Sequence, residues 1–348
     1  FCSSFPRLRL GRPRWIRMLG SPKSSSADEL SGIPGLAAHL AREESVVRLF
    51  RPQSSEAKLP RSHVRKQLHH ATEAYAEQSD AFVHTPEVPE EAIRKRFSCL
   101  DFYEKPVDVQ DYVEHVLPSF VQDSTHVACG RQIGHMTGSL PHYLPPLAGL
   151  VTAMNQNVVK TETSKTVTAL ENQVTACVHR LIYKRSDDFY REALANSEQT
   201  VGMFASGGTV ANIMGLWVAR NSALGPDPDK GFAGIEECGF LEAGLHYGYT
   251  GAVVIGSALM HYSFKKAVDV LGLGTAGLIT CSYDEQYRVR ISEVERQLEQ
   301  CRKRKLCVVA VVGIAGATET GSVDDLEALA ALARSYGVHF HVDAAWGG

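Results

Sequence analysis

The sequence has 348 residues, of which 44% are hydrophobic, and its formal net charge is −3. This length predicts about two domains, or one large domain with an appendage, and the composition is that of an ordinary globular protein with a sizeable core. The small net charge gives no support for a nucleic acid or a membrane surface as partner. No apolar run approaches the roughly 18–20 residues that are needed to cross a bilayer.

The eight cysteines are scattered along the chain and include no C-x-x-C pair. This spacing favours neither a zinc site nor a disulfide framework, so we predict no metal. In a chain of this length it is typical of mostly buried, reduced thiols, and we therefore expect a cytoplasmic protein.

The first segment, residues 1–27, contains five arginines between Arg7 and Arg17 and several serines, and its first acidic residue is Asp28 just beyond it. Such a composition is compatible with an organellar transit peptide. We favour the alternative that this leader is disordered or non-native, because the chain does not begin with Met and Met18 is a possible start. The leader is therefore kept out of the fold prediction.

Residues 28–130 are predicted to form an N-terminal helical segment. Short amphipathic patterns that alternate with polar stretches predict a helix, a linker and a helix in residues 28–81. Apolar residues at helical spacing predict a further helix around residues 107–117.

Residues 134–146 interrupt the helical patterns with two histidines, a tyrosine and three prolines. The three prolines disfavour a single helix over this segment, and irregular segments with these side chains often carry binding residues. A proline-rich surface connection is the equally weighted alternative. After it, residues 147–157 and 169–183 have helical periodicity, the second with one apolar face.

The sequence Ser-Gly-Gly-Thr at residues 206–209 is a candidate phosphate site, because it opens an apolar-periodic helix at residues 210–221. Glycines let the backbone approach an anion, and the helix directs free N–H groups and its positive dipole end toward it. Taken alone, the same sequence is also a good turn and helix cap. It matches neither the dinucleotide motif G-x-G-x-x-G nor the P-loop.

Strands alternate with helices in the last hundred residues, which predicts a largely parallel sheet that is covered on both faces. The carboxyl ends of its strands bring together residues 206–209, His261, Thr318 and Asp343 at one edge, where an open α/β sheet holds its ligand. Each of these residues also has a structural alternative, as a surface imidazole, a turn hydroxyl or a helix cap. The predicted strands are residues 251–257, 278–281, 306–313 and 340–343, and the predicted helices begin near residues 263, 292 and 324.

Four segments together resemble the pyridoxal-phosphate-dependent group II amino acid decarboxylases, which include the glutamate and aromatic decarboxylases. They are Gly-Gly-Thr-Val-Ala-Asn, His-Tyr-Ser-Phe-Lys-Lys-Ala, Gly-Ala-Thr-Glu-Thr-Gly and the closing His-Val-Asp-Ala-Ala-Trp-Gly-Gly. The resemblance runs from about residue 100 to the end. It implies an α/β fold of the aspartate-aminotransferase type, with a mostly parallel seven-stranded sheet covered by helices, and makes residues 131–348 a partial large domain.

The resemblance also implies roles for individual residues. Asp343 pairs with the nitrogen of the pyridine ring, and Thr318 holds that carboxylate. His261 stacks on one face of the ring and Ala345 packs on the other, so that His261 and Asp343 are the predicted catalytic residues. The cofactor phosphate is assigned to Ser206, Gly208 and Thr209, and the substrate entrance of an implied homodimer to His135, Asn155 and Gln156.

Within the family, residues 134–165 look most like the bacterial aspartate 1-decarboxylases, which convert L-aspartate to β-alanine and CO2. The expected substrate is therefore an acidic L-amino acid, with glutamate decarboxylase and cysteine sulfinate decarboxylase as alternatives. An aminotransferase of the same fold is the alternative from another reaction class.

The family's lysine, which binds the cofactor covalently, follows a histidine well downstream of the Asp-Ala-Ala-Trp motif, and no such segment is present here. Lys265 and Lys266 belong by resemblance to the helix after the stacking histidine. We therefore expect a C-terminally truncated fragment that lacks the small C-terminal domain and is inactive alone. The alternative is a lysine-less, non-catalytic relative of the same fold.

Overall fold

The computed structural model describes residues 58–77, 88–98, 100, 109–134, 136–138, 140–196 and 199–348. The predicted leader and His135 lie outside these residues, as does the first helix expected in residues 28–81. The chain divides into two compact units at the Asn155–Gln156 bond. The predicted domain boundary after residue 130 stays a prediction.

The described part of the first unit is helical. A π-helical turn, Tyr112–Val116, connects two short helices into one helical stretch, which confirms the helix predicted around residues 107–117. The ring of Tyr75 stacks on His126 at 4.3 Å between centroids and packs the first helix against the segment that follows this stretch. The helices are α1 (Lys58–Glu77), α2 (Glu90–Arg96), α3 (Val109–Asp111), α4 (Leu117–Asp123) and α5 (Leu144–Met154).

Helix α5 begins three residues earlier than the sequence predicted. Its first turn contains two prolines, Pro145 and Pro146. Proline is tolerated there because the N–H groups of the first helical turn have no partner within the helix. The helix ends before Asn155, which adopts a left-handed conformation with φ of 44°.

The second unit begins with helices and continues as alternating strands and helices. All three predicted helices of the sheet region are present, and each begins within two residues of the expected position. The helices are α6 (Thr161–Ser164), α7 (Thr166–Tyr183), α8 (Asp187–Ala195), α9 (Gly208–Ala223), α10 (Ile235–Tyr247), α11 (Ser263–Val270), α12 (Ile291–Lys303) and α13 (Leu326–Ser335), and the strands are β1 (Gly251–Ser257), β2 (Leu278–Cys281), β3 (Leu306–Ile314) and β4 (His339–Asp343).

The four strands form one parallel sheet in the order β2-β1-β3-β4. This confirms the predicted parallel α/β architecture. The described residues contain four strands, so the expected count of seven is not confirmed. Ile314 pairs with Asp343 at the carboxyl end of β3 and β4, which places the aspartate at the edge of the sheet where the sequence predicted a site.

Both faces of the sheet are covered, as the continuous apolar strands predicted. On one face, Val254 and Val312 pack with Leu216 of α9 and Phe264 of α11. On the other face, the neighbouring strand residues pack with helices α12 and α13; they include Ile255, Val311, Leu298 and Leu329. The sheet is therefore a rigid platform for the loops at its edge.

Six cysteines lie in the described part of the chain, and all are free thiols. Four of them are buried, as the sequence predicted: Cys129, Cys281, Cys301 and Cys307. Burial raises the pKa of Cys307 to about 11, which keeps this thiol protonated and unreactive. Among the described helices, none has the length and apolarity to cross a membrane.

Candidate active site

The carboxylate of Asp343 lies at the exit of β4 and is half-buried. Its Oδ2 accepts a hydrogen bond of 3.1 Å from the side-chain nitrogen of Asn212, and its Oδ1 accepts one of 3.3 Å from the Ala345 N–H. The backbone also fixes its position, because the Asp343 carbonyl accepts from Ala315 N–H at 2.9 Å. The carboxylate is therefore oriented by the protein and remains accessible at the edge of the sheet.

Asn212 is the functional candidate that the sequence prediction missed. It lies on α9, is buried at 5% exposure, and bonds three residues of two other elements, α11 and β4. Its nitrogen donates to Ser263 Oγ and to Asp343 Oδ2, each at 3.1 Å, while its oxygen accepts from His341 Nε2 at 2.9 Å. One signal was present in the sequence: a polar residue shares the helix face of Leu216 and Ala219, which are buried.

His261 lies in the turn between β1 and α11 and is half-buried. Its Nδ1 is 2.8 Å from Ser263 Oγ and accepts from the Ser263 N–H at 3.2 Å. The ring of Tyr262 lies 4.0 Å from the His261 ring, between centroids. His261 and Asp343 are thus linked through two intervening side chains, those of Ser263 and Asn212.

His341 lies beneath the carboxylate on β4, where Phe264 touches it edge-on. Burial lowers the pKa of His341 to about 4, although the nearby Asp343 charge acts in the opposite direction. The ring is therefore neutral near pH 7, which allows it to donate from Nε2 to Asn212 without a second charge beside the carboxylate.

The N-terminus of α9 has the features of an anion site. No side chain caps the helix, and Ala211 N–H bonds back to the carbonyl of Gly207 at 3.0 Å. The N–H groups of the three preceding helical residues have no acceptor within the described residues. Gly207 is exposed, and a Cβ added to it would meet nothing within 4 Å, so its neighbourhood has room for a ligand. The free N–H groups and helix dipole favour a negatively charged group there.

Ala345 connects the anion site with the carboxylate. A Cβ added to Gly208 would lie 4.0 Å from the Ala345 Cβ, so Gly208 and Ala345 are neighbours. Ser206 is exposed and Thr209 is half-buried at the same helix start. The structure therefore brings five of the predicted cofactor residues into one connected region with His261: Ser206, Gly208, Thr209, Asp343 and Ala345.

Thr318 is exposed in the loop after β3, and within the described residues no hydrogen bond joins it to Asp343. The loop itself is well defined, because Gly316 N–H and Ala317 N–H both bond to the Ser322 carbonyl. The observed side-chain donor to the carboxylate is Asn212, and the expected role of Thr318 stays a prediction.

Three residues were predicted to bind the substrate. His135 lies outside the described residues. Asn155 follows the last residue of helix α5 in the first unit, and Gln156 is the first residue of the second unit; both are exposed. Their part in substrate binding stays a prediction.

Comparisons with known proteins test the family resemblance that the sequence suggested. Residues 104–348 match the family model of the pyridoxal-dependent decarboxylase conserved domain. An aspartate 1-decarboxylase from Aliivibrio fischeri is 45% identical over 262 residues, which are 75% of this chain and 48% of that protein. An L-2,4-diaminobutyrate decarboxylase from Rhizobium meliloti is 31% identical over 210 residues, 60% of this chain and 36% of that protein.

Solved structures show the same fold at low sequence identity. The glutamate decarboxylase domain of a Vibrio parahaemolyticus diaminobutyrate-pyruvate transaminase and L-2,4-diaminobutyrate decarboxylase superposes with a TM-score of 0.72 at 20% identity, over 88% of this chain and 62% of that one. Mouse CSAD superposes with a TM-score of 0.67 at 20% identity, over 83% and 55%. The chain thus spans about half the length of the curated relatives that it matches. The resemblance inferred from the sequence is confirmed, and the chain belongs to the pyridoxal-dependent decarboxylase family.

Proposed function

We propose that this chain provides the cofactor-binding part of a pyridoxal-phosphate-dependent carboxy-lyase that decarboxylates an acidic L-amino acid, with L-aspartate as the first candidate. The observation that carries the proposal is the Asp343 carboxylate, held at a strand exit by Asn212 at 3.1 Å and next to an uncapped helix N-terminus. A carboxylate and an anion site side by side match the two ends of a pyridine ring that carries a phosphate.

The start of α9 would hold the phosphate. Its free backbone N–H groups and positive dipole end favour an anion, and the hydroxyls of Ser206 and Thr209 would add donors. Because Gly208 has no side chain between the helix and Ala345, the phosphate would be able to lie close to the backbone there. This arrangement would fix one end of the cofactor without a charged side chain.

The ring would lie between His261 and Ala345, with its nitrogen at Asp343. When bound, the cofactor supplies a protonated ring that accepts the electron pair left at Cα as CO2 departs. Asp343 would keep the proton on the ring nitrogen through a charge-assisted hydrogen bond. His261 would cover one face of the ring and keep water from it, and Thr318 would support the carboxylate from the neighbouring loop.

The preference for L-aspartate, converted to β-alanine and CO2, is supported by the 45% identity to an aspartate 1-decarboxylase. His135, Asn155 and Gln156 are the proposed substrate residues. Glutamate and cysteine sulfinate stay as alternative substrates, and an aminotransferase of the same fold as the alternative reaction. These are told apart by incubating the full-length protein with each amino acid. Release of CO2 from L-aspartate supports the proposal, and turnover that requires a keto acid without CO2 release contradicts it.

The chain by itself is proposed to be inactive, because Lys265 and Lys266 belong by resemblance to the helix after the stacking histidine and are not the family's covalent anchor for the cofactor. Both are exposed on α11, where Lys266 lies 4.7 Å from the ring of the exposed Tyr262. Treatment with pyridoxal phosphate and borohydride tests this. We expect no stable adduct on either lysine beyond that on other exposed lysines. A specific adduct on one of them would contradict the proposal and would favour a catalytic role for this chain alone.

A homodimer in the cytoplasm completes the proposal. Helix α7 exposes Leu181 at 77% and Ile182 at 67%, an apolar surface that a second copy of the chain would cover. The free thiols agree with a reducing compartment. Sedimentation of the full-length protein as a monomer would contradict the dimer.

A further inference from the structure

The carboxamide of Asn212 connects three elements of the candidate site, α9, α11 and β4, through hydrogen bonds of both its nitrogen and its oxygen. Its two N–H bonds go to Ser263 Oγ and Asp343 Oδ2, and its oxygen accepts from His341 Nε2. Ser263 is fully buried and Asn212 nearly so, which removes water as an alternative partner for these atoms. Burying a carboxamide without such bonds would be costly.

Donor and acceptor capacity fixes the direction of each bond. The Asp343 carboxylate can only accept, so the nitrogen of Asn212 must face it and the oxygen must face His341. His341 therefore carries its ring proton on Nε2. Ser263 Oγ accepts from Asn212 and has its own proton to donate, 2.8 Å from Nδ1 of His261. The Ser263 N–H also donates to this Nδ1, at 3.2 Å, so the two donors of Ser263 together keep the ring proton of His261 on Nε2.

We propose that Asn212 is a positioning residue: its carboxamide orients the Asp343 carboxylate directly and, through Ser263, sets the orientation and tautomer of His261. The proposal rests on the proposed function, since it matters for catalysis only if these two residues hold the cofactor ring. The hydrogen bonds of Asn212 would preorganise the site, because the Asp343 carboxylate and the His261 ring are in place before any ligand binds.

Other side chains at position 212 would not make the same three hydrogen bonds. A leucine would suit its helix face, where Leu216 and Ala219 are buried, but would leave Asp343 Oδ2 and Ser263 Oγ without the donor that they now have. An aspartate of the same shape would keep an acceptor for His341 and set a second carboxylate against Asp343. Only a carboxamide of this length offers two donors and one acceptor in this arrangement.

The test is the tautomer of each histidine, read from ¹⁵N chemical shifts of the chain labelled with ¹⁵N-histidine and free of cofactor. The spectra of His261→Gln and His341→Gln assign the two rings. We expect Asn212→Ala to raise the population of the Nδ1–H tautomer at both histidines. His341 loses its acceptor, and the Ser263 hydroxyl, which is closer to His261 Nδ1 than the Ser263 N–H is, becomes free to accept. Ser263→Ala is expected to change His261 and leave His341 as in the wild type.

Asn221→Ala is the matched control, since Asn221 lies on the same helix and donates to a carboxylate, that of Glu236, at 2.7 Å. It is expected to change neither histidine. A folded Asn212→Ala chain with both tautomers unchanged would overturn the proposal. If Asn212→Ala does not fold, Ser263→Ala decides: an altered His261 beside an unaltered His341 supports the proposal, and an unaltered His261 overturns it.

A second readout separates this proposal from the proposed function. The dissociation constant of pyridoxal phosphate is expected to rise about tenfold in Asn212→Ala, one hydrogen bond's contribution, and to stay unchanged in Asn221→Ala. A wild-type chain that does not bind the cofactor would count against the proposed function, whereas the tautomer spectra would still decide whether Asn212 sets the geometry. Binding that is equally tight in wild type and Asn212→Ala would overturn the positioning role.

Discussion

Gly215 lies on helix α9 directly beneath the ring of His341. A Cβ at this position would lie 2.7 Å from Cε1 and 2.8 Å from Nδ1 of that ring, well inside normal contact. The absence of a side chain therefore gives His341 the space from which it reaches Asn212.

We predict that Gly215→Ala destabilises the chain by about 1–3 kcal/mol, because the imidazole must move away and leave its hydrogen bond. This cost outweighs the gain of about 1 kcal/mol that alanine brings to a helix. Urea unfolding measures the difference. Gly244→Ala is the control, because its added Cβ would meet the Tyr249 carbonyl at an ordinary 3.7 Å; equal effects of the two substitutions would refute the explanation.

Replacing Asp343 tests the residue on which the proposed chemistry depends most. In the full-length protein, Asp343→Ala is expected to lower kcat by at least about a hundredfold, because nothing then holds a proton on the ring nitrogen, while cofactor binding persists. Asp188→Ala is the control, since the Asp188 side chain is 91% exposed on α8. Steady-state kinetics with L-aspartate measure both. Near-normal turnover of Asp343→Ala would disprove the assignment.

The sequence predicted Asp343 and His261 but not the residue that links them. Asp343 was visible because it follows an apolar strand and precedes small residues, all within eight positions. Asn212 bonds Asp343 across 131 positions of the chain, and a contact of that kind depends on how α9 lies against β4. Without the fold, its only sequence signal was a polar residue on an apolar helix face.

At the level of elements, the alternation of apolar strands and amphipathic helices predicted the sheet region almost completely. The helix after the Ser-Gly-Gly-Thr segment begins at Gly208 rather than Val210, because glycine at its first position continues the helical backbone despite its low propensity. The π-helical turn at Tyr112–Val116 was not predicted, since such turns are rare and apolar residues at helical spacing predict an α-helix.

Asp324 holds the carboxyl end of strand β3, which borders the candidate site. This buried carboxylate accepts from Val289 N–H at 2.7 Å and from Ile314 N–H at 2.9 Å, and Ile314 is the strand partner of Asp343. Burial raises the pKa of Asp324, although these two hydrogen bonds act in the opposite direction.

We predict that Asp324→Ala lowers the free energy of unfolding by about 2–5 kcal/mol, because two buried N–H groups lose their acceptor. Asp324→Asn keeps one acceptor oxygen and should cost less. Denaturant titration of both variants gives the two values. A loss that is equal for Ala and Asn would show that the hydrogen bonds are not the cause.

At the scale of the whole molecule, the proposed cofactor binds only where folded segments meet, so it should stabilise the fold by mass action. At a concentration of 100 times Kd, the expected gain is about 2.7 kcal/mol, or a few degrees in Tm. Pyridoxal without its phosphate is the control, because it lacks the group assigned to the start of α9. Equal stabilisation by both compounds would contradict that assignment, and calorimetry of the chain measures it.

The stability of the whole chain should also depend on pH through His341. Its pKa is lowered from 6.5 to about 4 by burial, and the groups that face it are Asp343, which opposes the shift, and His339, which adds to it. Between these two pH values the unfolded chain binds a proton that the folded chain does not. The His341 contribution is therefore fully present above about pH 6.5 and is lost as the pH falls toward about 4.

Measuring the free energy of unfolding at several pH values between 4 and 7 tests this prediction. The wild type should lose stability on acidification more steeply than His341→Gln, which cannot take up the proton. The raised pKa of Asp324 contributes with the opposite sign, since a group that is protonated more readily in the folded chain favours folding as the pH falls. That contribution is common to both proteins and cancels in their difference. If the free energy of unfolding changes equally with pH in the wild type and in His341→Gln, then burial does not lower the pKa of His341.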